Sequence, residues 1–158
     1  MKNFTTEQLI GELGLAGEKI IINYLSEQGR IVKQSIDKFD SQKDITVDGK
    51  LTVEVKTQQP YVIRNSLSFR PNQLKKCSNV DILYFVTTTA EISPNYKWNN
   101  CIFEVDPKKF KSRSYTTKFG IKMIDVPIEQ EAVKFIKKLT ADEAKQLSKY
   151  THSDYKAR

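Results

Sequence analysis

Three residues in the stretch "DITVDGKLTVEVKT", Asp44 to Thr57, have the types and spacing for metal-assisted hydrolysis: Asp44, Glu54 and Lys56. The stretch alternates apolar and polar residues around Asp48-Gly49, the pattern of two half-buried strands joined by a turn. Ile45, Val47, Leu51, Val53 and Val55 then share one face, and Asp44, Thr52, Glu54 and Lys56 share the other. Two strands can bury one common face only if opposed residue numbers sum to an even value. A two-residue Asp48-Gly49 loop breaks that parity, although Asp-Gly is a favoured hairpin turn. A three-residue loop, Asp48 to Lys50, keeps it and opposes Val47 to Leu51 and Asp44 to Glu54.

Carboxylates opposed across two strands have β-carbons about 4.5–5.5 Å apart, a destabilising arrangement unless a cation is shared between them. Mg²⁺, with Mn²⁺ able to substitute, suits such a pair, because it takes one or two carboxylates, keeps several waters and completes its shell with phosphate oxygens. Lys56, on the face of Glu54, can hold or help deprotonate an attacking water and offset charge developing on a phosphate, with the metal as Lewis acid. An isolated Glu-x-Lys pair on a hairpin is also an ordinary charged outer face. The register-compatible Asp44 is what separates the two readings.

The elements that must position these residues follow from periodicity. "TTEQLIGELGLAGEKIIINYLSEQGR" predicts a long amphipathic helix, opened by a Thr5–Gln8 capping box and stopped near Gly29, with Leu9, Leu13, Ala16, Ile20 and Tyr24 in its apolar stripe and Ile10, Ile21 and Leu25 widening it. Gly11, Gly14 and Gly17 recur on one shoulder, each disfavouring helix by about 1 kcal/mol relative to alanine, and predict close approach of another backbone there. "RIVKQSI" is a first strand, "DKFDSQK" a polar connection, and the Asp44–Thr57 stretch the second and third strands. "SLSFRPNQLKKCSNV" reads as a strand end and then a helix from about Pro71, "DILYFVTTT" and "NNCIFEVD" as strands, and "SPNYKWNN" as the turn between them. "SRSYTTKFGIKMIDVP" is a basic hairpin or loop, and "PIEQEAVKFIKKLTADEAKQLSKY" one or two short helices with Thr140 as a cap between them. The expected fold is one α/β (α+β) domain over residues 1–158, with a core over about 5–106 and a basic helical or loop extension over about 107–158.

Composition sets the outer limits. A chain of 158 residues buries about 70% of its unfolded surface without staples. The net charge of +7 is unevenly spread: residues 1–107 hold 13 Lys/Arg and 13 Asp/Glu, residues 108–158 hold 13 and 6. A basic end on a balanced body suggests a polyanionic partner, and equally fits a solvated lysine-rich surface. No run approaches the roughly 18 apolar residues of a membrane span, and "MKNFTTEQ" has no apolar signal core, so a cytoplasmic setting without membrane partners is expected. Cys77 and Cys101 lack CxxC spacing and predict two buried free thiols. His152 is the single histidine, which removes a histidine-metal nuclease, and no GxSxG, P-loop or GxGxxG motif or organic-cofactor signature is present.

Asp44, nine residues, then Glu54-Val55-Lys56 resembles the PD-(D/E)XK nuclease superfamily, with its restriction-endonuclease-like core of a helix, a three-stranded meander, a helix and a further strand in a mixed sheet. Lys43 stands where the motif's name has proline. The resemblance implies Asp44, Glu54 and the carbonyl of Val55 as metal ligands and Lys56 as the catalytic lysine. It also implies an acidic first-helix residue at the metal site, matched by Glu18, and a helix residue at the water or phosphate, matched by Gln73. "GELGLAGEKIIINYL", "VEVKT" and "NSLSFRP...VDILYFV" resemble the small group I intron-encoded homing endonucleases, and the first half also resembles archaeal Holliday-junction resolvases. Both cut double-stranded DNA with Mg²⁺ as homo-oligomers, here a dimer or tetramer. DNA contacts are then expected from Lys43, Arg64, Arg70, Lys75, Lys109, Lys111, Arg113, Lys118 and Lys122. The sequence-reading role is favoured over a resolvase or restriction role because the basic last third is an addition that a reader of base sequence needs. A catalytically silent DNA-binding module of the same fold predicts loss of at least one of Asp44, Glu54 and Lys56, and all three are present. A general α/β protein with some acidic partner is the third class.

Overall fold

A computed structural model of the chain describes residues 5–34 and 45–150. The first helix, α1 (Thr6–Glu27), begins at the expected capping box: the Thr5 side chain accepts from the Gln8 N–H at 3.1 Å, and the Gln8 side chain accepts from the Thr5 N–H at 2.8 Å. It ends before Gly29, whose φ of 80° is the left-handed stop that glycine favours. Leu13, Ile20, Ile21 and Leu25 are buried, while Ile10 is more than half exposed, so the stripe is narrower at its start than its periodicity predicts.

Three antiparallel strands follow: β1 (Val32–Gln34), β2 (Ile45–Val47) and β3 (Leu51–Gln58). The β2–β3 pairs are Val47↔Leu51, Thr46↔Thr52 and Ile45↔Val53, so the loop is the three-residue one that parity requires. Asp48 and Gly49 take φ of 55° and 74°, the conformations that an Asp-Gly pair tolerates best. Asp48 is held there by Arg30 Nε at 2.6 Å and the Ile31 N–H at 3.1 Å, which lower its carboxyl pKa in that order.

The chain then leaves the sheet through β4 (Ser66–Phe69), a 3-10 turn (Pro71–Gln73) and α2 (Leu74–Asn79). It returns as β5 (Ile82–Thr87), parallel to β3, and β6 (Cys101–Val105), antiparallel to β5. A hairpin, β7 (Arg113–Thr116) and β8 (Lys122–Pro127), joins β4 in a second sheet ordered β4-β8-β7. Last come β9 (Val133–Lys138) and α3 (Ala141–Ser148), the latter opened by a Thr140–Glu143 capping box. The large sheet has the order β1-β2-β3-β5-β6-β9 and is mixed, and the fold is α+β with three helices.

One correction concerns the last third: residues 133–138 form an edge strand where a helix is expected. Of the hairpin or loop expected before it, the structure has the hairpin, β7 and β8, built into the second sheet rather than standing as an extension. Helix periodicity misleads at β9 because its apolar residues serve both faces of the sheet: Val133 packs into one core and Ile136, three residues on and so on the opposite face of a strand, into the other. The β6 pairing also bulges there, Phe103 opposing Phe135 but Ile102 opposing Lys137, with Ile136 the extra residue. The last third is also woven into the core, since β9 closes the large sheet and Leu147 of α3 is fully buried.

The large sheet separates two apolar cores. One lies between it and α1 and α3, and includes Leu13, Ile21, Val53, Tyr84, Val86 and Leu147. The other lies toward α2 and the second sheet, and includes Leu67, Phe69, Cys77, Leu83, Phe85 and Ile124. Of the three helix glycines, only Gly17 meets a close neighbour: a Cβ there would lie 1.8 Å from Thr57 Oγ1. The approach is thus to a β3 side chain rather than to another backbone, and Gly11 and Gly14 have nothing within 4 Å.

Candidate active site around Glu54 and Lys56

Alternation along β3 decides which residues meet. Val53, Val55 and Thr57 turn toward α1, while Glu54, Lys56 and Gln58 turn toward α2 and the second sheet, beside Leu83 and Phe85 of the parallel neighbour. That second face is covered rather than solvated. Gln58 is buried and binds the backbone of β4 at both ends, its Nε2 donating to the Ser68 carbonyl and its Oε1 accepting from the Ser68 N–H at 2.7 Å.

Glu54 is about nine-tenths buried, and its two oxygens face two ammoniums: Lys56 Nζ at 3.5 Å from Oε1 and Lys76 Nζ at 3.2 Å from Oε2. Lys56 Nζ also donates to Gln73 Oε1 at 2.6 Å. Proline at the first position of the 3-10 turn suits the start of this short helical segment. The turn brings Gln73 over β3, and α2 carries Lys76 three residues and Cys77 four residues further on, the spacings that share a helix face. Cys77 forms the floor. Burial foremost, with the Glu54 charge adding, pushes its thiol up to about 11 against the opposing pull of Lys56 and Lys76, which favours the protonated thiol.

The structure thus brings together Glu54, Lys56 and Gln73 of the residues expected from sequence. Asp44 and Lys43 lie outside the described residues. Val55 pairs with Tyr84 in the β3–β5 ladder and is half-buried. Glu18 accepts from Gln34 Nε2 at 2.9 Å and so is tied to β1, two strands away from β3 in the sheet. Lys76 was missed by sequence reasoning, although its three-residue spacing from Gln73 was the available signal.

The residues expected to contact DNA divide into three groups. Arg64 and Arg113 both bind Asp125, Arg64 Nε at 2.6 Å and Arg113 through Nε at 3.1 Å and Nη2 at 2.9 Å. Asp125 has no exposed surface. Burial raises its pKa, but the hydrogen bonds from Arg64 and then Arg113 outweigh that and leave it below the ordinary carboxylate value. Lys109 and Lys111 line a cleft of about 970 Å³ together with Glu104, Asp106, Glu129 and Glu131, away from Glu54, Lys56 and Gln73. Arg70, Lys75, Lys118 and Lys122 are exposed. Lys118 Nζ lies 5.3 Å from the centroid of the exposed Phe119 ring at the tip of the β7–β8 hairpin.

No three His, Cys, Asp or Glu side chains gather to hold a metal among the described residues. A hard dication that uses waters and phosphate oxygens needs only one or two carboxylates. Glu54 fits as one of them: it is an oxygen donor, mostly buried, and each of its oxygens already draws a cation. No helix among the described residues is long and apolar enough to cross a membrane. The chain matches no protein-family model, no curated protein and no solved structure.

Proposed function

We propose that the chain is a Mg²⁺-dependent endonuclease that hydrolyses phosphodiester bonds of double-stranded DNA, with a restriction-endonuclease-like core. The observation that carries this reading is the gathering of Glu54, Lys56 and Gln73 at one partly buried point. The antiparallel β1-β2-β3 meander, the connection through α2 and the parallel strand β5 support it by matching the order of elements in that core. The β2–β3 register supports Asp44 as the second metal carboxylate, because every described pair has the sum that also opposes residues 44 and 54.

In this reading Asp44 and Glu54 hold the cation, which supplies Lewis acidity at the phosphate when bound. An ammonium has three N–H donors and no acceptor. Lys56 directs one toward Glu54 and one to Gln73, which leaves one for a phosphate oxygen or the attacking water. Gln73 accepts from Lys56 through its oxygen and keeps its amide N–H groups to donate to the phosphate. Lys56 is about one-fifth exposed, so substrate can reach it. The exposed cations Arg70 and Lys75 flank this point in sequence, and Lys118 and Lys122 on the hairpin serve as backbone contacts. A subunit with one such site cuts one strand at a time, so a homo-oligomer is part of the proposal.

Incubation with plasmid, four-way-junction and random-fragment DNA, in Mg²⁺ or in EDTA, tests the reading. Cleavage that requires Mg²⁺ is expected, and its absence on every substrate would sink the enzyme reading. Cutting at one rare duplex site identifies a homing or restriction role, whereas preference for the junction identifies a resolvase.

A further inference from the structure

Each oxygen of Glu54 faces an ammonium, and the second ammonium comes from α2. Lys56 has a second partner in Gln73 that fixes its direction. Lys76 approaches the other oxygen from a helix across the site, and its side chain is 30% exposed against 21% for Lys56. A lysine ammonium is a point charge on a flexible stem and lacks the planar fork that makes arginine pairs persistent. Burial makes Glu54 costly to leave without cations, and at Oε2 Lys76 supplies one.

We propose that Lys76 is the displaceable counter-ion of Glu54: it neutralises the carboxylate without metal, and a divalent cation binds by taking its place. This rests on the metal-dependent reading above. Two cations cannot both sit close to Oε2, because their mutual repulsion at a few ångströms is comparable to the attraction each gains. Occupancy by Lys76 therefore lowers the apparent metal affinity, and release of its ammonium accompanies loading. Lys76 thus sets the cation concentration at which the site arms.

The test is Mn²⁺ binding, followed by calorimetry and by the paramagnetic resonance of free Mn²⁺, in the full-length protein and in Lys76→Gln, Lys76→Arg and Glu54→Gln, with thermal unfolding of each as a check on folding. Lys76→Gln is expected to bind Mn²⁺ about tenfold more tightly, Lys76→Arg to bind more weakly than wild type, and Glu54→Gln to lose the site. Unchanged or weaker binding by folded Lys76→Gln overturns the proposal, as does tighter binding by Lys76→Arg. The parent reading is tested separately by cleavage. Mn²⁺ affinity that responds to Lys76 in a protein that cuts no DNA keeps this proposal and removes the nuclease. Cleavage with an affinity indifferent to Lys76 does the reverse, and wild-type protein that binds no Mn²⁺ overturns both.

Discussion

Glu54 and Asp125 are both buried carboxylates, each held by two cations, yet one is built to stay closed and the other to exchange its partner. Asp125 is met by two arginines, one of them through two N–H groups, and Arg64 is backed by the Tyr115 ring 4.8 Å from its guanidinium. Alternation along β8 points Asp125 away from Ile124 and Val126, toward Arg113 on β7 and the chain before β4. The cluster therefore clamps three segments of the second sheet. Glu54 is met by lysines, at longer distances and from two different elements. Equal charge counts thus give different chemistry, because the planar guanidinium fork holds a carboxylate in fixed geometry and an ammonium does not.

The largest effect expected from breaking this contrast is on catalysis. Lys56→Ala should lower cleavage by about a thousandfold, within the range for loss of a group that serves proton transfer, while leaving folding and DNA affinity nearly unchanged. Single-turnover cleavage beside a DNA-binding titration measures both, and cutting at the wild-type rate would remove Lys56 from the chemistry. Asp125→Asn should show the opposite profile. It leaves two guanidiniums without their carboxylate and should cost about 3 kcal/mol of stability, read from the urea midpoint at constant slope. A Glu54→Gln variant that cost as much would erase the distinction.

Acid should act through Asp125. Its folded pKa lies below the ordinary 3.8, so unfolding takes up a proton there. The stability it contributes is complete above the unfolded value and is lost as pH falls through the folded one. Melting temperatures from about pH 5 down to about pH 2.5 should therefore fall more steeply in wild type than in Asp125→Asn, and parallel curves would show that Asp125 is not a source of the acid sensitivity. The smallest effect is from exchanging the cation type. Arg64→Lys should cost about 1 kcal/mol by losing fork geometry at a buried carboxylate, whereas Lys76→Arg should change stability by less than about 0.5 kcal/mol at its partly exposed site. Equal shifts in the two urea midpoints would show that the fork is not what separates the clusters.

The elements around the candidate site were legible because they rest on local pattern. The Thr5 and Thr140 caps, the proline-led turn before α2 and the apolar strands β5 and β6 each follow from a few adjacent residues. Edge strand β9 was not legible, since its apolar residues face both cores, Val133 one and Ile136 the other, and the unpaired side of β6 selects strand over helix. Arg64 and Arg113 read as phosphate contacts because sequence shows their charge and hides the carboxylate they meet, 61 and 12 residues away along the chain.

By itself the sequence determined the parity of the β2–β3 hairpin, and with it the face shared by Glu54 and Lys56. Period-two alternation and the demand for one buried face admit only even-sum registers, and the observed one is the shortest-loop solution. Only the tertiary structure decided that this face is covered and what meets it there. Gln73 and Lys76 arrive from a crossover connection whose path depends on the packing of α2 and β4 over the sheet. Burial of Glu54 and its second cation, Lys76, follow from that packing and from no residue spacing along β3.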